Sequence, residues 1–291
     1  MTDTIRIATD ALSAEFSTLG AEMRVLRDEA GRDLLSDGPP KYWTGRAPFL
    51  FPIVGAANGD RIRVDGKAYA MAKHGFARKS EFAVVDAQPD RVTFRLEASA
   101  ATRKIYPFDF QLDIHHRIEG ATLHTEAVLT NPGDAALPAS FGFHPAFRWP
   151  LPWGGGRADH RLVFAHAEPA PIRRIDIKSG LVLPDPQPSP VEGDTLTPRD
   201  DLFVPDAIIF DQLASRSVHF GVPGGRMLKL DFPQMPLLGV WTKPGAPFLC
   251  IEPWQGLADP VGYAGDFHDK PYVVAVAPGA ERRFAIAISI A

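Results

Sequence analysis

Arg91-Val92-Thr93-Phe94-Arg95-Leu96 places its apolar side chains on one parity and its polar ones on the other, the two-residue period of a strand with one buried face. The same alternation sets Leu112, Ile114 and Ile118 against Asp113, His115, Arg117 and Glu119, and it returns at the C-terminus in Phe284, Ile286, Ile288 and Ile290. Turn signals separate these runs: Asp65-Gly66, Glu119-Gly120 and Asn131-Pro132-Gly133-Asp134, where glycine, proline and Asx side chains satisfy tight backbone geometry. Helical periodicity is scarce, and 28 prolines with 25 glycines leave few windows for a three-turn helix. The chain therefore reads as all-β and mostly antiparallel, with hairpins packed face to face in one large β-sandwich. No repeat of fixed period and no flexible linker divides it, so residues 1–291 are expected to form a single domain. The stretch Leu183-Pro184-Asp185-Pro186-Gln187-Pro188-Ser189-Pro190 is expected to be a long surface loop.

Composition narrows the function. A content of 45% hydrophobic and 23% charged residues is that of an ordinary globular protein. The net charge of -4, with a pI near 6.1, offers no basic field for a polyanion, which argues against nucleic acid as a partner. The first residues, Met1-Thr2-Asp3-Thr4-Ile5-Arg6, lack the pattern of a secretory signal, and no run of about 18 apolar residues is long enough for a membrane span. A cytoplasmic enzyme or binding protein is the expectation. The lone cysteine, Cys250, has no partner for an internal disulfide and no second cysteine for a metal site, and it reads as a small buried apolar residue.

The segment Arg46-Ala47-Pro48-Phe49-Leu50-Phe51-Pro52-Ile53-Val54-Gly55 carries two prolines and an arginine, so it reads as an edge or loop that presents side chains to a ligand. Downstream, His74-Gly75-Phe76-Ala77-Arg78 sets an imidazole four positions from a permanent cation. If both enter one pocket, the cation keeps His74 neutral, as a donor to a substrate hydroxyl. His144 sits among Phe141, Phe143 and Phe147. It is either a core histidine bonded to a carbonyl or a site residue beside an aromatic wall that suits the apolar face of a sugar. Glu252 ends the apolar run Pro247-Phe248-Leu249-Cys250-Ile251. A carboxylate there is costly unless paired or used, and a base poised below neutrality is what proton abstraction from a hydroxyl requires. Asp206 precedes another apolar strand and either caps a turn or faces the same pocket. His115 and His116 are adjacent and must face opposite sides of a strand, so they make no metal pair. His160, His166, His219 and His268 show no metal-ligand spacing, and neither a nucleophile elbow, a phosphate-binding glycine loop nor a dinucleotide fingerprint is found.

In the order Trp43, Arg46-Ala47-Pro48, Phe51-Pro52-Ile53-Val54-Gly55, Asp65-Gly66-Lys67-Ala68-Tyr69, His74-Gly75-Phe76-Ala77-Arg78, Gly142-Phe143-His144-Pro145-Ala146-Phe147 and Ile251-Glu252-Pro253-Trp254, the chain resembles the aldose 1-epimerase (galactose mutarotase-like) superfamily, and within it the LacX-type branch. The resemblance implies a large antiparallel β-sandwich and a cofactor-independent, metal-free isomerase that opens and recloses an aldose ring. It also implies roles: His144 as general acid, Glu252 as general base, and His74, Arg78, Arg46 and Asp206 as substrate-binding residues. One departure is visible. Classical galactose mutarotases carry an Asn-Arg pair after their first glycine turn, where this chain reads Gly55-Ala56-Ala57-Asn58-Gly59-Asp60-Arg61, so Arg46 or Arg61 would take that arginine's place. The implied partner is a monosaccharide or a sugar phosphate. Competing readings are a hexose-6-phosphate 1-epimerase gripping phosphate with Arg46 and Arg78, a non-catalytic carbohydrate-binding protein of the same fold, and a glycosidase pairing Glu252 with Asp206 or Asp259.

Overall fold

In a computed structural model that describes residues 3–291, the alternating runs are strands of one antiparallel nine-stranded sheet. Its order is Thr195–Leu196, Arg161–Phe164, Ser217–Gly221, Met227–Asp231, Glu281–Ile290, Thr122–Thr130, Gln111–Glu119, Arg91–Glu97 and Ala83–Ala87. Register carries the apolar parity from strand to strand: Phe94 opposes Ile114, Ile114 opposes Ala127, and Ala127 opposes Phe284. One face of the sheet is thereby continuous and buried. Asp113 breaks the expected polarity by being buried, and Arg95 compensates it with two hydrogen bonds of 2.7 Å.

A six-stranded antiparallel sheet packs on that face. It runs Ile208–Phe210, Leu237–Trp241, Phe248–Gln255, Phe141–Phe143 and Phe49–Leu50, with Ala146–Arg148 also paired to Phe248–Gln255. The sandwich closes through aromatic contacts between the two layers. Phe141 stacks on Phe284 at 5.0 Å between centroids, and Phe164 meets Phe210 at 5.2 Å. A three-stranded sheet, Thr4–Ala8, Leu12–Ser17 and Met23–Asp28, adds Phe16, which stacks on His116 at 4.0 Å. Helix among the described residues is limited to 3-10 turns of three or four residues, so none is long enough to cross a membrane. As expected from adjacency, His116 is buried while His115 is half-exposed. The proline-rich stretch from Leu183 is an exposed loop.

The segment 46–55 departs from expectation in part. Phe49–Leu50 is indeed the edge strand of the six-stranded sheet, but Phe49, Leu50, Phe51 and Ile53 are buried in apolar packing. Only Val54 and Gly55 reach the cavity described next. The prolines end the pairing there, and the side chains between them serve the core.

Candidate active site

The strand Phe248–Gln255 is buried along its whole length, and its alternation divides two environments. Leu249 and Ile251 join the main core, whereas Glu252 and Trp254 point to the opposite side, into a cavity of about 310 Å³. Small residues on the neighbouring strands make room for the Trp254 ring: a Cβ on Gly142 or Gly239 would come within 2.8 or 2.5 Å of it. His144 reaches the same place by an interruption. The strands Phe141–Phe143 and Ala146–Arg148 both pair with Phe248–Gln255, and His144-Pro145 lies in the break between them, opposite Ile251, whose N–H donates to the Pro145 carbonyl.

His144 Nε2 lies 3.1 Å from Glu252 Oε2, and both side chains are almost fully buried. Burial works against either charge. It pulls His144 down to about 3 and pushes Glu252 well above the usual carboxylate range, the latter helped by nearby Asp206. Lys73 opposes the rise at Glu252, so burial and a nearby cation act on the carboxyl in opposite directions. Both shifts favour the uncharged forms of the two side chains. Cys250 Sγ lies within 4.8 Å of both. These three donors are the one cluster with metal-binding spacing among the described residues. Burial holds the thiol in its protonated form, which does not suit a metal ligand, and the imidazole and carboxylate lie close enough to exchange a proton.

His74 is held in the left-handed region, φ 66°, by hydrogen bonds to both sides of Gly55: its N–H donates to the Gly55 carbonyl, and the Gly55 N–H donates to Nδ1 at 3.1 Å. The acceptor role of Nδ1 leaves the ring's own N–H on Nε2. Burial first, then His144, Lys73 and Arg78, hold His74 well below the ordinary histidine value, so it is the neutral donor that the sequence leads one to expect. Gly75 is obligatory at φ 71°, since a Cβ there would sit 2.0 Å from the Phe51 carbonyl oxygen. Asp206 is also left-handed, φ 69°. Both sequence alternatives for it are met: Oδ1 accepts the Ala207 N–H at 2.7 Å, and the residue lines the cavity. Backbone strain at His74 and Asp206, on opposite chain segments of one cavity, is the pattern of a functional site.

The structure brings His74, Arg78, His144, Asp206 and Glu252 together and leaves Arg46 out. Arg46 is engaged elsewhere: its guanidinium donates to the Arg24 carbonyl at 2.6 Å and its backbone N–H to Glu22 Oε1 at 2.7 Å. Arg61 and Asp259 line a separate recess, where Asp259 pairs with buried Lys270 at 2.7 Å. Residues the sequence reading missed are Lys73, Lys243, Tyr42 and Trp241. Lys73 adjoins His74 and could have been drawn in with it; nothing in the local sequence marks Lys243.

Comparison with known proteins agrees with this architecture. Residues 3–274 match the family described as aldose 1-epimerase. The chain is 33% identical over 284 residues to the chromosomal LacX protein of Lactococcus lactis, covering 94% of this chain and 95% of that protein. A galactose mutarotase-related enzyme from Lactobacillus acidophilus superposes with a TM-score of 0.89 at 26% identity, covering 100% of this chain and 97% of the other. A galactose mutarotase-like protein from Lactobacillus casei gives 0.89 at 27% identity, covering 99% and 100%. On its sequence, fold and cavity together, this chain belongs to the aldose 1-epimerase family.

Proposed function

We propose that this protein interconverts the α and β anomers of an aldose through the His144–Glu252 pair, without a cofactor. The observation that carries the reading is a buried imidazole and carboxylate 3.1 Å apart on the wall of a sugar-sized cavity; in this reading the pair shares one proton. Anomer exchange needs one proton removed from the C1 hydroxyl and one delivered to the ring oxygen. In the ionised form of the shared-proton pair, Glu252 takes the first while His144 gives the second. The ring opens to the aldehyde, C1–C2 rotates, and reclosure on the other face with the roles reversed restores the pair. Each positioned transfer contributes about 10²- to 10⁴-fold. His74 donates from Nε2 to a substrate oxygen, Asp206 accepts from a hydroxyl, and the Tyr42 and Trp241 rings supply apolar wall.

A second reading is favoured by the charges around the cavity. Lys73, Arg78 and Lys243 line it, against the single carboxylate Asp206 once Glu252 shares its proton, which suits an aldose bearing a phosphate. Arg46 takes no part in this version. NMR or polarimetric anomer exchange across free and 6-phosphorylated aldoses tests both. Faster exchange of a free aldose supports the first reading, and a large preference for the phosphorylated sugar supports the second. Sugar binding with no acceleration on any substrate contradicts both and leaves a carbohydrate-binding protein.

A further inference from the structure

We propose that Trp43 is a positioning residue whose indole face favours the protonated ring of His144 at the moment that ring gives its proton to the sugar; this rests on the anomer-exchange reading above. His144 is nearly buried at the cavity wall, with other rings packed around its own. The Trp43 ring lies over its face, 4.7 Å between centroids and 29° from parallel. Trp241 and His74 meet it edge-to-face, at 6.1 Å and 83° and at 5.9 Å and 83°. Glu252 Oε2 lies 3.1 Å from Nε2, and Cys250 lies alongside.

Most of that enclosure opposes a positive charge. Burial is the largest effect, and the neighbouring cations Arg78 and Lys73 add to it, while His74 is itself neutral. Glu252 is the one carboxylate in contact, and Asp206 shares the cavity. The acid of the proposed reaction must nevertheless carry a proton while the ring oxygen takes it up. An indole face over a desolvated imidazolium is attractive through the ring quadrupole, whereas the same face over neutral imidazole gains little of this. Trp43 therefore acts on the charged form selectively.

The stack is built into the chain. Trp43 packs with Tyr42, Trp241, Phe248 and Cys250, and a Cβ on Gly45 would come within 2.4 Å of its ring. Only glycine at 45 lets the indole fold back across the chain onto His144. That face is occupied by His144, which distinguishes Trp43 from a platform for the sugar.

Site-specific replacement of Trp43 by mono-, di- and trifluorotryptophan weakens the ring quadrupole while keeping the shape, so a packing role would not respond. The expected result is a stepwise fall in kcat for anomer exchange, about 2- to 30-fold over the series, with KM within about twofold. The titration midpoint of the His144 ring, followed by ¹⁵N NMR, should move to lower pH along the same series. Trp43→Leu should lie at the end of both trends. A flat kcat and a fixed midpoint across the series, or a change confined to KM, overturns the proposal. If the wild-type protein accelerates no aldose, the underlying reading fails on that measurement alone, and the His144 midpoint still decides the role of Trp43.

Discussion

At the scale of single residues, the site is governed by what burial does to charge. Burial favours the uncharged forms of both His144 and Glu252, and in the proposed shared-proton pair the apparent titrations belong to the two together. The pair takes up a second proton only near the depressed His144 value of about 3. We therefore expect kcat/KM for anomer exchange to stay level between pH 7 and pH 5; a steep fall across that interval, as for a carboxylate base protonating beside an ordinary histidine, would count against the shared proton. Stability behaves differently. His116, stacked on Phe16 and bonded to Thr125 at 3.0 Å, is also pulled down to about 3 by burial. A folded value below the unfolded one means that stability is present above pH 6.5 and is lost as pH falls toward 3. At pH 5 each such histidine costs about 2 kcal/mol. Urea unfolding of His116→Phe at pH 7 and pH 5 should show a smaller acid loss than wild type, and an equal loss would contradict this. The neutrality of His74 was legible from Arg78 four positions on, but its main cause, burial, was not. Local sequence names neighbours and leaves enclosure unstated.

At the scale of elements, the strands were the most readable part and the approach of strands to one another the least. Val92, Phe94 and Leu96 announce a half-buried strand without knowledge of the partner, and they are buried as expected. That Glu252 faces the cavity while Ile251 faces the core follows from parity alone once the strand is granted. What parity cannot supply is the break at His144-Pro145 that aims His144 at Glu252, since it depends on two short strands sharing one partner. Arg46 is drawn off for a related reason: its partners are Glu22 and Arg24, just before and on a strand of a different sheet, more than twenty residues away in sequence. The glycines that shape the site give a test at this scale. Gly75→Ala forces a Cβ into the Phe51 carbonyl at a left-handed φ, so it should destabilise by at least about 1–3 kcal/mol and raise KM through His74. Thermal melting and steady-state kinetics of this variant check both; unchanged values would show that the His74 turn is not held as described.

For the whole molecule, one apolar cluster runs from Ile7 through Phe147 and Phe232 to Ile288 and draws on both large sheets. We expect the chain to unfold in a single cooperative transition as one domain, with fluorescence and far-UV circular dichroism midpoints coinciding; two separated transitions would contradict it. The same sandwich holds the functional residues in place, because Glu252, His144 and Trp254 stand on or beside its most buried strand. The proposed chemistry requires the His144–Glu252 pair to work as one unit. The most direct measurement is the anomer-exchange rate of Glu252→Gln, His144→Asn and the double variant, on the sugar that wild type turns over fastest. Each single change should lower kcat by about 10²- to 10⁴-fold, and the double variant should be little worse than either. Single variants with wild-type rates, or losses that multiply in the double variant, would contradict a shared-proton pair at the centre of the chemistry.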